Sequence, residues 1–148
     1  MGLFDKILGG QSSESTSLSE QEAFFAIMLI TVASDGQVSE EESESVWAIL
    51  NRMQVLRNQT VDQRNSMVRK IQGLLKKHGA AWLLTKAAEG MPPDLRQTAF
   101  AVSADLVFAD GSVEDTEKEI LETIQIAMAV PNELAIKIIE VLQIKNRG

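Results

Sequence analysis

The chain has 148 residues, 45% of them hydrophobic and 24% charged, with a formal net charge of −7, no cysteine, one histidine and no tyrosine. That length fits one domain able to bury about 68–70% of its unfolded surface. The missing cysteines exclude disulfides, thiolate metal sites and cysteine nucleophiles, and a single histidine excludes a multi-histidine zinc or iron site.

Residues 1–8 place Leu3, Phe4, Ile7 and Leu8 at spacings that suit one or two amphipathic turns. The opening MGLFDKILGG lacks the long apolar stretch of a secretory signal. Residues 9–17, GGQSSESTS, have the composition of a flexible linker. The expected organisation is therefore a lead segment and linker over residues 1–18 and one domain over residues 19–148. Ser19 with Glu22 forms a capping-box signal, and the helix predicted over residues 20–34 is almost wholly apolar, which suits the centre of a fold. Its apolar run, residues 23–33, is shorter than the roughly 20 residues needed to span a bilayer. Asp35-Gly36 ends this helix, and Ser39 with Glu42 opens a second, predicted to reach about residue 53 with Val46, Ile49, Leu50 and Met53 at helical spacing. A third helix over residues 60–78 carries Val61, Val68, Ile71 and Leu75 on one face and Arg64, Lys70 and Lys77 on the other, and Gly79 closes it. Residues 80–89 form a short helix with Trp82. Pro92-Pro93-Asp94 starts a fifth helix, which runs to residue 109 and again ends at Asp-Gly. Residues 114–130 mirror the second helix, and Pro131 opens the last, with Leu134, Ile138, Val141 and Leu142 as its core face. The fold class expected is all-α, a compact bundle of about seven helices built from two pseudo-symmetric helix–corner–helix halves.

The halves are visible as a repeat. An offset of 75 residues carries Ala26 onto Ala101, and over thirty positions ten are identical, among them Val32, Asp35, Gly36, Val38, Glu42 and Glu44. Ordinary residue frequencies give roughly two. The shared element is D-G-x-V-x-x-x-E, so chemistry is expected at Asp35, Glu42, Asp110 and Glu117, with Asp105 a further carboxylate near the second corner. Charge is segregated along the chain. Residues 14–51 hold eight acids and no base, residues 52–86 eight bases and one acid, and residues 89–122 nine acids and two bases. The folded chain should present acidic regions that favour cations or basic partners, and a basic one that favours anions.

The segments SDGQVSEEE at residues 34–42 and DLVFADGSVEDTE at residues 105–117, each following a buried helix, resemble the tellurite-resistance TerB family of bacterial proteins. The resemblance runs from about Ser19 to the C-terminus. It implies a compact all-helical fold, a link to tellurite resistance and the wider bacterial stress response, a divalent-cation role, and no enzymatic activity. The lead MGLFDKILGG departs from the better-known members.

Two readings of the corners stand side by side. In one, Asp35, Glu42, Asp105, Asp110 and Glu117 supply oxygens to a hard divalent cation, calcium or magnesium. D-G-x-V-x-x-x-E matches the back half of an EF-hand loop. Thr31, Ala33, Leu106 and Phe108 occupy the positions of the missing front ligands, so only a partly hydrated site fits. In the other, Asp35 and Asp110 bond corner amides, Gly36 and Gly111 make the turns, and Glu42 and Glu117 cap the following helices.

Elsewhere, His78 at a helix end is expected near terminal carbonyls, Trp47 and Trp82 in packing, and the basic face of the third helix in solvent. The acidic total argues against nucleic acid as a partner. The function expected is a non-enzymatic, cytoplasmic stress-response module acting through its acidic corners on a divalent cation or a basic protein partner. The alternatives are a metal-assisted hydrolase using the same carboxylates and a scaffold docking on a membrane through residues 1–8.

Overall fold

The computed structural model describes residues 16–33, 40–109 and 113–147, without the side chains of residues 40–42 and 45. These residues form seven α-helices: α1 (Glu20–Val32), α2 (Glu40–Leu50), α3 (Val61–His78), α4 (Ala80–Glu89), α5 (Pro93–Phe108), α6 (Asp115–Ala127) and α7 (Asn132–Lys145). A single 3₁₀ turn, Gln54–Leu56, lies between α2 and α3, and no strand occurs among the described residues.

α1 is the axis of the bundle. Nine consecutive residues, Ala23 to Thr31, are buried, so the helix has no solvent face over that stretch. It packs chiefly on α4 and α5, and also meets α2, α3 and α6. Each fully buried Leu, Ile, Phe or Met side chain contributes roughly 1.5–3 kcal/mol. The α1 residues Phe24, Ile27 and Met28 together with Phe100 of α5 therefore form the heart of the core. One contact between α1 and α5 is polar. The Thr31 hydroxyl donates to the Ile27 carbonyl at 2.7 Å and lies 3.0 Å from the Ser103 hydroxyl, which satisfies both buried side chains.

Two helices open on capping boxes, the one at Ser19 expected from the sequence and a second at Thr60. At α1, the Glu22 amide donates to Ser19 Oγ at 3.1 Å and the Ser19 amide to Glu22 Oε1 at 2.9 Å. Thr60 and Gln63 make the same reciprocal pair at α3. Gly79 alone joins α3 to α4, at φ 87° and ψ 169°. At Gly90 an added Cβ would stand 2.8 Å from the Leu18 carbonyl oxygen, so glycine there permits the chain entering α1 to lie against the end of α4.

Three sequence expectations need correction. α2 stops at Leu50, short of residue 53, because Asn51 and Arg52 turn the chain into the 3₁₀ segment. Val61, assigned to the core face of α3, is 71% exposed, and Met67 and Ile71 are that helix's buried residues. Val141, assigned to the core face of α7, is 61% exposed. α7 buries Ala135 and Leu142 and half-buries Ile138 and Ile139, and Val141 lies about 100° round the axis from Leu142.

Candidate functional site

α1 and α5 are the helices that lead into the two acidic corners. Asp35, Gly36, Asp110 and Gly111, and the side chain of Glu42, lie outside the described residues. The contact at Thr31 and Ser103 falls near the C-terminal ends of both helices. Val32 is one residue beyond it and Phe108 five, or about 1.5 and 7.5 Å of helix rise. One buried contact between α1 and α5 thus lies within about a turn and a half of the C-terminal end of each helix.

The two described carboxylates of the candidate set are both engaged. Glu117 Oε1 accepts the Glu114 amide at 2.9 Å, at the start of α6. That is the helix-capping role. It operates here although glutamate replaces serine at the cap, because the bond needs only the Glu114 backbone N–H. Asp105 Oδ1 is 3.1 Å from Lys145 Nζ and accepts Asn146 Nδ2 at 3.1 Å, which ties the C-terminus of α7 to the flank of α5. Among the described residues, no three His, Asp or Glu side chains gather as a metal-binding group.

The acidic and basic parts of the sequence meet at Glu22. Its Oε2 lies 2.9 Å from Lys70 Nζ, so α1 is pinned to α3 beside the capping box. Burial pushes the Glu22 carboxyl up, but the Lys70 ion pair and the bonds from Ser19 together outweigh it and hold the group below its ordinary value.

Other side chains depart from the sequence expectation. Arg64, assigned to the solvent face of α3, lies over the Trp47 ring at 4.3 Å and donates from Nη2 to Asn51 Oδ1 at 2.6 Å. Trp47 in turn stacks on Phe25 at 5.4 Å. This Arg64–Trp47–Phe25 pile fastens α2 to α1 and α3. The His78 ring, expected near terminal carbonyls, stacks on Trp82 at 4.0 Å.

Sequence reasoning also missed an open cleft of about 820 Å³ between α5, α6 and α7. Phe100, Phe108, Val113 and Leu121 supply its apolar lining, and Lys118 and Arg147 add cations. The signal was present in the repeat. The 75-residue offset puts Glu122 where the first half has Trp47, so the second half lacks the ring that fills the first. Among the described residues, no helix is long and apolar enough to cross a membrane.

A family model described as tellurite resistance protein TerB matches residues 21–139. No curated protein and no solved structure matches the chain.

Proposed function

The chain belongs to the TerB family of tellurite resistance proteins, and on that premise we propose that it works as a non-enzymatic binding module whose two acidic corners hold a divalent cation between them. One observation carries this reading: the buried contact of Thr31 with Ser103, close to where α1 and α5 run out towards Asp35 and Asp110. Hard cations require several oxygens within one compact shell. On this reading the two corners converge, so that Asp35 and Asp110 share one shell, where either alone offers too few ligands.

The described contacts sharpen the ligand set. On this reading Asp35 and Asp110 are the primary donors, Glu42 and Glu117 add the carboxylate oxygens not used in capping, Asp105 stays with Lys145 and Asn146, and water completes the shell. The cation is calcium or magnesium, since the donors are carboxylates without thiolate or clustered imidazole.

Calorimetric titration of the chelator-stripped full chain with calcium, magnesium, manganese and zinc tests this, beside Asp35→Asn/Asp110→Asn and Asp105→Asn. Saturable binding is expected in the parent and in Asp105→Asn, and its loss in the double variant at an unchanged metal-free melting temperature. Absence of heat with every ion, or equal binding by parent and double variant, overturns the proposal. A double variant that melts far lower without metal would make the corners structural and turn the acidic surface towards a basic protein partner.

A further inference from the structure

The repeat offset relates not only the corners but also two clefts, and the pair differ in what fills them. In the first half, a cleft bounded by α1, α2 and α3 is lined by Phe25, Val46, Trp47 and Gln72, and only about 20 Å³ of it is open. In the second half, the cleft of about 820 Å³ is lined by the residues 75 positions later: Phe100, Leu121, Glu122 and Arg147. Phenylalanine is retained at the base of both. The first cleft is closed by the indole of Trp47, stacked on Phe25 at 5.4 Å and covered by the Arg64 guanidinium at 4.3 Å. The second half replaces both members of that plug, with Glu122 at the tryptophan position and Ile139 at the arginine position. Glu122 is exposed, and Ile139 lines the cleft. The molecule thereby shows what an occupant looks like: an aromatic ring seated on the phenylalanine, with apolar walls around it.

We propose that this open cleft is the docking site for residues 3–8 of the same chain, with the Phe4 ring entering where the first half places Trp47. Three observations select this occupant. The chain has seven aromatic residues, two Trp and five Phe, and Phe4 is the one outside the described residues. The cleft volume exceeds one ring and accommodates the neighbouring Leu3, Ile7 and Leu8, which follow helical spacing around Phe4. Asp5, beside Phe4, complements Arg147 and Lys118, cations that stand where the closed cleft has Gln72 and Ser43. The tether reaches. Leu18 lies against Gly90, three residues before α5 begins. The cleft lies along α5 from Phe100 to Phe108, and the whole 16-residue helix is about 24 Å long. The ten residues from Leu8 to Leu18 extend to about 33–36 Å.

The cysteine-free chain allows a clean trapping experiment on the full-length protein. Gly2→Cys/Gln143→Cys places one thiol beside the docking segment and one on the cleft. Gly2→Cys/Gln72→Cys places the second thiol on the closed cleft of the first half. Under mild oxidation the first pair is expected to form an intramolecular disulfide at least tenfold faster than the second. Adding Phe4→Ala or Glu122→Trp to the first pair should reduce its rate to that of the control. Phe4→Ala removes the ring, and Glu122→Trp fills the cleft as Trp47 fills its counterpart. Equal rates for the two pairs, or trapping that survives both added substitutions, overturns the proposal. Disulfide-linked dimers in place of closed monomers overturn it too, and assign the cleft to a second copy.

Discussion

Single residues in this protein are constrained by backbone geometry and charge as much as by size. Gly79 carries the α3–α4 junction at φ 87° and ψ 169°, a conformation nearly restricted to glycine, although nothing lies within 4 Å of where a Cβ would stand. Gly79→Ala is therefore expected to destabilise by about 1–3 kcal/mol without any steric clash. Thermal unfolding checks this, since each kcal/mol corresponds to about 2–4 °C in a protein of this size. An unchanged melting temperature would refute the left-handed junction. Glu22 gives a pH signature. Its folded carboxyl is held below its ordinary value of 4.5, chiefly because the Lys70 and Ser19 bonds overcome the effect of burial. Its contribution is thus fully present above about pH 4.5 and is lost as pH falls through the lower folded value. The stability gap between the parent and Glu22→Gln should be widest near neutrality and narrow below that pH, as followed by urea unfolding across the acid range. A gap independent of pH would show that the ion pair contributes nothing.

At the scale of helices, periodicity reveals which elements exist but not always which face they bury. The all-α class, the seven helices and the Ser19 cap were legible because apolar spacing and capping chemistry are local signals, and the Thr60–Gln63 box, which carries the same signal, was read as the body of the helix. Val61 and Val141 were misassigned because a helix flanked by two neighbours buries the stripe they select, and that stripe depends on tertiary packing. The site was less legible. Asp105 reads as a spare carboxylate in sequence, and its engagement by Lys145 and Asn146, forty residues away, has no local signature. Arg64 likewise looks like one more charge on a solvated face. Its place over Trp47 predicts that Arg64→Ala costs about 1–2 kcal/mol through the lost cation–π contact and hydrogen bond. Arg64→Lys should recover only part of that, because an ammonium cannot stack flat on the indole. Trp47 fluorescence and urea unfolding read both changes. Full recovery by lysine would reduce the interaction to bare charge.

Across the whole molecule, α1 determines what must hold for anything to be folded. It has no exposed face between Ala23 and Thr31, and its partners come from α2 to α6. Its amides are accordingly expected to exchange with solvent deuterium only through global unfolding, whereas those at the start of α7 exchange through smaller openings. Exchange of α1 as fast as α7 would contradict its central position. Such an arrangement has a temporal side as well. α1 is made early, but α5, its partner at the Thr31–Ser103 contact, ends at Phe108, 76 residues after Val32. At about 5–20 residues per second, translation leaves nine consecutive buried-type residues without their permanent neighbours for roughly 4–15 s. Every nascent copy passes through that interval, so the helix that makes the finished bundle coherent is also the stretch of the growing polypeptide most in need of a chaperone.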